Sequence, residues 1–234
     1  MTSIYFPKVF TSSMGGKWYF KVMKVMGRLL MALVVWAFCL SLSAQKVISS
    51  ISRLHDGDLL FQVSSATNAI TSVAEGFSSQ TIDHVGIFHR HDGVPMVLEA
   101  NYEGVLDTPF EEFCNQCSKV LVGRVRGKID ISKSLANAHS FLGRSYDFLF
   151  LPDNAEIYCS ELVQVSFVYI DGTQVFSPVP MSFHDQDGRI IPYWSDFYSR
   201  RLMQVPEGVA GSHPGGLSRC RQVRIKYEWR GFAM

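Results

Sequence analysis

The spacing of apolar and polar residues predicts short strands early in the chain. Residues 58–63 form a short apolar run between turn residues, which is typical of a buried strand. Residues 82–89 and 94–100 flank Asp92-Gly93, a pair that favours a tight hairpin turn. Strands joined by so short a turn must be antiparallel.

Two later segments are also predicted to be strands. Residues 119–125 include Val120, Leu121, Val122 and Val125, and residues 223–229 alternate between apolar and polar positions. The strict alternation indicates that one face of the last strand is buried.

Helical spacing is found between these strands. Apolar residues recur at helical intervals over residues 64–77, 131–142 and 159–170, and residues 194–203 suit a fourth helix. Thr108-Pro109 has the cap and first-turn proline that predict another helix start.

Together these elements predict one α+β domain over residues 45–234, with an antiparallel sheet packed against helices. The segment from Asp171 to Leu217, rich in proline, glycine and isolated aromatic residues, is expected to wrap around this domain rather than build its core.

The charge distribution separates the first 44 residues from the rest. The chain has 234 residues and a net charge of +1, but residues 1–44 contain five basic and no acidic side chains. Removing those five leaves 17 basic against 21 acidic side chains, a net charge of −4. Nucleic acid is therefore not an expected partner.

The same 44 residues have the form of an export signal. Three basic residues precede the apolar run Leu29–Leu40, which is followed by small residues ending at Ala44. The run is shorter than the ~20 residues that span a bilayer, so cleavage is favoured over an N-terminal anchor. We expect an exported protein of the periplasm or cell envelope, with no stable membrane span after cleavage.

Four cysteines remain after residue 44, too few for a disulfide scaffold. Cys114 and Cys117 have C-x-x-C spacing without a second pair or a histidine partner, which indicates a structural disulfide or two free thiols. No metal and no cofactor is expected.

Three residues could form a nucleophilic site: Cys159 at a predicted helix start, and His84 and Glu99 in the two hairpin strands. A thiol nucleophile needs a base, and a third group can orient that base. A two-residue turn places Glu99 opposite Gly86 and on the same face as His84. A four-residue loop also puts them on one face, whereas a three-residue loop separates them.

The position of Cys159 favours its reactivity, because a helix N-terminus stabilises the thiolate and offers N–H groups to an oxyanion. Gly86 is expected to leave space beside His84 for a substrate or for the Cys159 helix. Taken singly, Cys159, His84 and Glu99 each also suit a structural role. His89 and His91 flank the turn and His139 lies in a predicted helix, and none of these has an assigned role.

Several motifs resemble the YiiX/YebB-like group of circularly permuted papain-fold cysteine hydrolases in the NlpC superfamily. They are GDLLF at residues 57–61, DHVGIF at 83–88, VLEA at 97–100, YDFLF at 146–150 and YCSELV at 158–163. The resemblance implies a permuted papain-like fold, in which the histidine and the acidic residue precede the cysteine.

The resemblance further implies a catalytic set of Cys159, His84 and Glu99, with Tyr146 as a weaker candidate for lining the pocket. The implied enzyme is a cysteine peptidase or amidase that forms an acyl-enzyme on a small peptide, amide or acyl substrate. Two alternatives stay open: a thiol-dependent lipid esterase or acyltransferase, and a non-catalytic binding module. The sequence leaves the oligomeric state open.

Overall fold

The seven-stranded sheet that carries the candidate residues is seen in a computed structural model, which describes residues 46–152, 154–185 and 187–230. The predicted export segment, residues 1–44, lies outside the described residues. The strands are β1 (Lys46–Ile48), β2 (Leu59–Val63), β3 (Ile82–His91), β4 (Val94–Asn101), β5 (Gly104–Pro109), β6 (Lys119–Val125), β7 (Val179–Pro180), β8 (Ala210–Gly211) and β9 (Val223–Trp229). The helices are α1 (Ala69–Val73), α2 (Phe110–Asn115), α3 (Ile131–His139), α4 (Cys159–Ser166), α5 (Pro192–Ser199) and α6 (Pro214–Arg219).

The main sheet has the order β1-β9-β6-β2-β3-β4-β5, and β7 pairs with β8 separately. All pairs in the main sheet are antiparallel except β1 with β9, which run parallel. The predicted α+β class with an antiparallel sheet packed against helices is therefore confirmed. Among the residues listed above as described, no helix is long and apolar enough to cross a membrane.

The hairpin of β3 and β4 has the two-residue turn that the sequence predicts. His91 pairs with Val94, and Asp92 and Gly93 both adopt positive φ, 49° and 82°. This is the backbone that a two-residue turn of type I′ needs. Continuing the register sets Glu99 opposite Gly86, so that His84 and Glu99 share one face.

The two faces of the sheet are covered by different groups of residues. On one face, α2 contributes Phe113 to an apolar cluster with Phe88, Val97 and Trp229. On the other face, α4 packs its apolar side against the sheet, in a cluster that includes Val85, Ile87, Leu98, Leu162 and Val163. The nucleophile candidate Cys159, at the start of α4, belongs to this second cluster.

Several helices are shorter than predicted. The first spans Ala69–Val73 rather than residues 64–77, because Asn68 and Thr71 form a capping box that fixes its start. The third ends at His139 and the fourth at Ser166, and the fifth begins at Pro192, two residues earlier than expected.

The predicted short helix is present, but it begins at Phe110 rather than at Pro109. Asp107 and Thr108 lie in β5, Pro109 is its last residue, and α2 begins at Phe110. The side chains of Asp107 and Thr108 bond to His89 and Glu99, and these contacts across the sheet keep both residues in the strand.

The expectation that residues 171–217 only wrap around the domain is wrong. Met181, Phe183, Trp194 and Tyr198 from this segment are buried and form a third apolar cluster. The isolated aromatic residues could not show this from the sequence, since their contacts with one another depend on the path of an irregular chain.

Candidate active site

The pair of His84 and Glu99 joins neighbouring strands on one face of the sheet. His84 Nε2 lies 2.5 Å from Glu99 Oε2, and Glu99 is fully buried whereas His84 is 16% exposed. The imidazole therefore reaches the surface of a cleft while its partner is held inside the protein. Because Nε2 faces Glu99, Nδ1 is the ring nitrogen left for the thiol.

The second oxygen of Glu99 is also held. Thr108 Oγ1 donates a hydrogen bond of 2.5 Å to Glu99 Oε1, and Asn101 Nδ2 donates one of 3.4 Å to the same atom. Burial works against the charge, but the bond and charge of His84 and the donors Thr108 and Asn101 lower the pKa of Glu99 below its ordinary 4.5. Glu99 is therefore a carboxylate at neutral pH.

Cys159 is the first residue of α4, as the sequence predicts, and it is buried. The preceding residue, Tyr158, is extended, and no side chain among the described residues caps the helix start. The N–H groups of the first turn therefore remain available near the thiol.

His84 and Cys159 interact directly. Burial alone would lower the pKa of His84, but the charge and hydrogen bond of Cys159, together with those of Glu99, raise this pKa to about 10. The imidazole beside the sulfur therefore holds its proton near neutral pH. This is the pairing that activates a thiol for nucleophilic attack.

Tyr146 lies against the nucleophile candidate because the chain forms an isolated bridge between Tyr146 and Ile157. Burial, followed by the charge and hydrogen bond of Cys159, raises the pKa of Tyr146 well above 10. Its hydroxyl therefore stays protonated and can donate a hydrogen bond toward the sulfur.

The loop after Tyr146 is fixed by the buried carboxylate of Asp147. This carboxylate accepts hydrogen bonds from the backbone N–H of Leu149 and Leu151, and from the side chain of Asn154. Within this loop Phe150 has a φ of 52°, a left-handed conformation that costs free energy for an aromatic residue. The fixed loop presents Phe150 to the space beside Cys159.

A small cavity of about 50 Å³ opens next to Cys159 and is mostly apolar. Two buried hydroxyls, Ser160 Oγ and Ser212 Oγ, belong to residues that line it and have no hydrogen-bond partner among the described residues. Its principal apolar lining residues are Ile70, Val73, Phe150, Met181, Phe183 and Trp194.

A larger and more polar cavity, of about 570 Å³, lies on the His84 side. Gln62, Asn68 and Asn101 contribute polar groups to it. Asp83 and Tyr146 line both cavities, so the two spaces meet beside the candidate catalytic groups. The lining is thus almost wholly apolar near the sulfur, and it mixes polar with aromatic side chains near the imidazole.

All four residues singled out in the sequence, Cys159, His84, Glu99 and Tyr146, therefore meet at one place. The space predicted at Gly86 is not there, because a Cβ atom at Gly86 would collide with Val97 and approach Phe113. Phe113 occupies this side of the strand, with its ring centroid 5.8 Å from that of His84.

Sequence reasoning missed Thr108 as the second support of Glu99. Tyr102-Glu103 could have given a signal, because a two-residue turn there makes β4 and β5 a hairpin that places Thr108 on the face of Glu99. The roles of Asp147 and of the hydroxyls of Ser160 and Ser212 had no signal in the sequence.

The family model for permuted papain-like amidase enzymes of the YaeF/YiiX type, the C92 family, matches residues 53–208. The chain belongs to this family. It is therefore a permuted papain-like cysteine hydrolase of the amidase or peptidase class, and an amide is its class of substrate.

A solved structure has the same fold: that of the metalloprotein yiiX from Escherichia coli O157:H7, with a TM-score of 0.61 and 22% sequence identity. The match covers 75% of this chain and 98% of the yiiX chain. No curated protein matches the sequence significantly.

Proposed function

We propose that this amidase family member is an exported enzyme that cleaves an amide bond of a cell-wall peptide or related amide through Cys159, His84 and Glu99. The observation that carries the proposal is the chain of contacts from Thr108 through Glu99 and His84 to Cys159. A structural histidine does not need a buried carboxylate on one side and a thiol on the other.

In the proposed reaction, the Cys159 sulfur attacks the amide carbonyl carbon while His84, protonated by the thiol, faces the leaving group. The tetrahedral intermediate collapses, the C–N bond breaks, and His84 gives its proton to the leaving amine. A water then attacks the thioester with His84 as the base, which releases the carboxylic acid and restores the thiol. Glu99 keeps the imidazole in the orientation that both steps need.

The negative oxygen of the intermediate requires donors, and two sources lie near the sulfur. The first turn of α4 offers uncapped N–H groups beside Cys159, at the positive end of the helix. The Tyr146 hydroxyl is the second source, since it is protonated and contacts the sulfur. We assign Tyr146 to this donor role rather than to simple lining of the pocket.

The cavity beside Cys159 supports a small apolar group on the acyl side of the amide. Its volume of about 50 Å³ is well below the ~150 Å³ of an apolar cavity that holds benzene. A short aliphatic side chain fits this size. The polar cavity on the His84 side suits the amine half of a peptide, and its Asp83 carboxylate could accept hydrogen bonds from that half.

The second candidate is a thiol-dependent lipid esterase or acyltransferase, which the apolar lining of the same cavity favours. The small volume argues against a long acyl chain in this conformation. A lipid substrate would require Phe150, Met181 or Trp194 to move away from Cys159.

Export is proposed from the basic and apolar pattern of residues 1–44 alone. We expect secretion-competent cells to accumulate a mature chain that begins at Gln45. N-terminal sequencing of protein from the periplasmic fraction tests this, and a full-length chain in the cytosol would contradict it.

The function is tested by trapping the acyl-enzyme from a set of peptide amides and lipid esters and measuring the intact mass. We expect an adduct on the wild-type chain whose added mass equals a small acyl group, and none on Cys159→Ala. Cys117→Ala, which removes a free thiol that lines neither cavity, is the matched control and should react like the wild type. A long fatty-acyl adduct would favour the lipid candidate, and an equal adduct on Cys159→Ala would overturn the assignment of the nucleophile.

A further inference from the structure

A second cluster of chemically active side chains lies apart from Cys159. It joins His89 on β3, Asp107 on β5 and His139 at the end of α3. His89 Nε2 is 2.7 Å from Asp107 Oδ1, and His139 Nε2 is 3.7 Å from Asp107 Oδ2. One potential ligand atom from each of the three residues lies within 4.8 Å of the other two.

The ring of His139 is held in the orientation that a metal ligand needs. Its Nδ1 lies 2.7 Å from the carbonyl oxygen of Leu135, one helical turn earlier. Since a carbonyl can only accept, Nδ1 carries a proton, and Nε2 is the ring nitrogen that faces Asp107. Backbone carbonyls fix many metal-binding histidines in this way.

Asp107 supplies the charge. Its two oxygens face two imidazoles: Oδ1 faces that of His89 and Oδ2 faces that of His139. Without a metal, the contact of 2.7 Å between His89 and Asp107 is an ordinary hydrogen bond.

The distances suit a small divalent transition-metal ion. Zinc binds histidine nitrogen and carboxylate oxygen at ~2.0–2.2 Å, so ligand atoms around a tetrahedral ion lie ~3.3 Å apart. The two contacts reach different oxygens of Asp107: His89 Nε2 lies 2.7 Å from Oδ1 and His139 Nε2 lies 3.7 Å from Oδ2, so both imidazoles are near this spacing. Small side-chain rotations would therefore place one ion between the three groups.

We propose that His89, Asp107 and His139 form a binding site for one divalent transition-metal ion of the zinc class. Two imidazoles and a carboxylate are a donor set typical of such ions, and water completes the coordination. His89 is 3% exposed, whereas Asp107 and His139 are 24% and 32% exposed, so the site has a rigid buried side and a side open to solvent. An ion can enter from that open side.

The bound ion would add a side-chain link between three elements. Strand β5 is at the edge of the sheet and β3 lies two strands away, while His139 is the last residue of α3. Asp107 directly precedes Thr108, the donor to Glu99. The metal would therefore stabilise the strand that supports the candidate catalytic carboxylate.

The test is zinc titration of the chelator-treated, full-length protein by calorimetry, with metal content measured after desalting. We expect one ion per chain and a rise in the midpoint of thermal unfolding. His139→Gln should reduce the affinity at least tenfold without changing the circular dichroism spectrum. His184→Gln is the matched control, since His184 is also 32% exposed and paired with a carboxylate, and it should bind as the wild type does.

Two further measurements distinguish metal binding at this site from metal binding by the thiols of the protein. Cys159→Ala and Cys117→Ala should both keep the stoichiometry of one, and the cobalt-loaded wild type should lack a thiolate charge-transfer band. Because this band is read on the wild type, the test does not depend on any variant folding. The proposal is overturned by no binding to the wild type, by full binding to His139→Gln, or by a thiolate band.

Discussion

Replacing Thr108 with valine tests whether the buried carboxylate of Glu99 depends on its second support. Thr108 is almost fully buried, and valine preserves its shape while it removes the hydroxyl that donates to Glu99 Oε1. A hydrogen bond to a charged group contributes about 1.5–3 kcal/mol, and a neutral one about 1 kcal/mol. We therefore expect Thr108→Val to lower the free energy of unfolding by about 2 kcal/mol at neutral pH.

Thr81→Val is the matched control for this variant. Thr81 Oγ1 donates to the backbone carbonyl of Ser64 at 2.6 Å, so its removal deletes a neutral hydrogen bond away from Glu99. We expect a loss of about 1 kcal/mol for this control. Chemical denaturation of both variants gives the two free energies of unfolding under the same conditions. The dependence of each free energy on denaturant concentration is compared first, because equal slopes show that the variants unfold alike.

The pH dependence separates a charged from a neutral contact. Because the folded protein lowers the pKa of Glu99 below 4.5, the stabilisation is present above about pH 4.5 and is lost as the pH falls through the folded pKa. Thr108→Val should lower the free energy of unfolding by more than Thr81→Val does, and this difference should shrink as the pH falls through the folded pKa of Glu99. Equal losses for the two variants at every pH would refute a charged bond between Thr108 and Glu99.

Three further predictions follow from other groups near the site. Ser212→Ala removes a buried hydroxyl that has no partner among the described residues, so it should leave stability unchanged or slightly higher and raise KM in the amidase assay. Ser166→Ala removes another such hydroxyl outside the cavity lining and should change neither stability nor KM. Equal KM values for the two variants would contradict a substrate contact at Ser212. Burial and then the charge of Arg219 lower the pKa of His213 to about 4, so stability should fall by about 3 kcal/mol as the pH drops from 6.5 to 4. His213→Asn, which preserves a helix cap, should remove that contribution, and an unchanged pH profile of unfolding would contradict it. Gly86→Ala should destabilise the fold by about 1–3 kcal/mol in a thermal or chemical melt, since the added methyl meets Val97 and Phe113, and a neutral effect would show that this side of His84 has spare room.

The sequence predicted the central parts of the fold because those parts follow from local rules. The hairpin register depends on a two-residue turn at Asp92-Gly93, and the position of Cys159 depends on where an apolar helical pattern begins. These two local features place His84 beside Glu99 and set Cys159 at a helix start. How Cys159 reaches His84 depends on long-range packing, because α4 covers the face of Val85 and Leu98.

Features that depend on contacts between distant segments were missed. The helix predicted from Thr108-Pro109 begins one residue later than expected, because bonds from Asp107 and Thr108 to other strands hold these two residues in β5. The same contacts created the cluster of His89, Asp107 and His139, whose members are far apart in the sequence. The aromatic residues of 171–217 gave no sign of the cavity that they line, since an irregular chain has no period from which a face can be predicted.

The most direct test of the account is the rate at which iodoacetamide alkylates Cys159 at mildly acidic pH, followed by intact mass. Burial raises the pKa of Cys114, of Cys117 and of Cys220, so these thiols should react slowly. The account predicts fast addition of one label to the wild type, much slower labelling of His84→Ala, and loss of the fast phase in Cys159→Ala but not in Cys117→Ala. Labelling of Cys159 at the rate of an ordinary thiol, or at the same rate with and without His84, would contradict an activated pair.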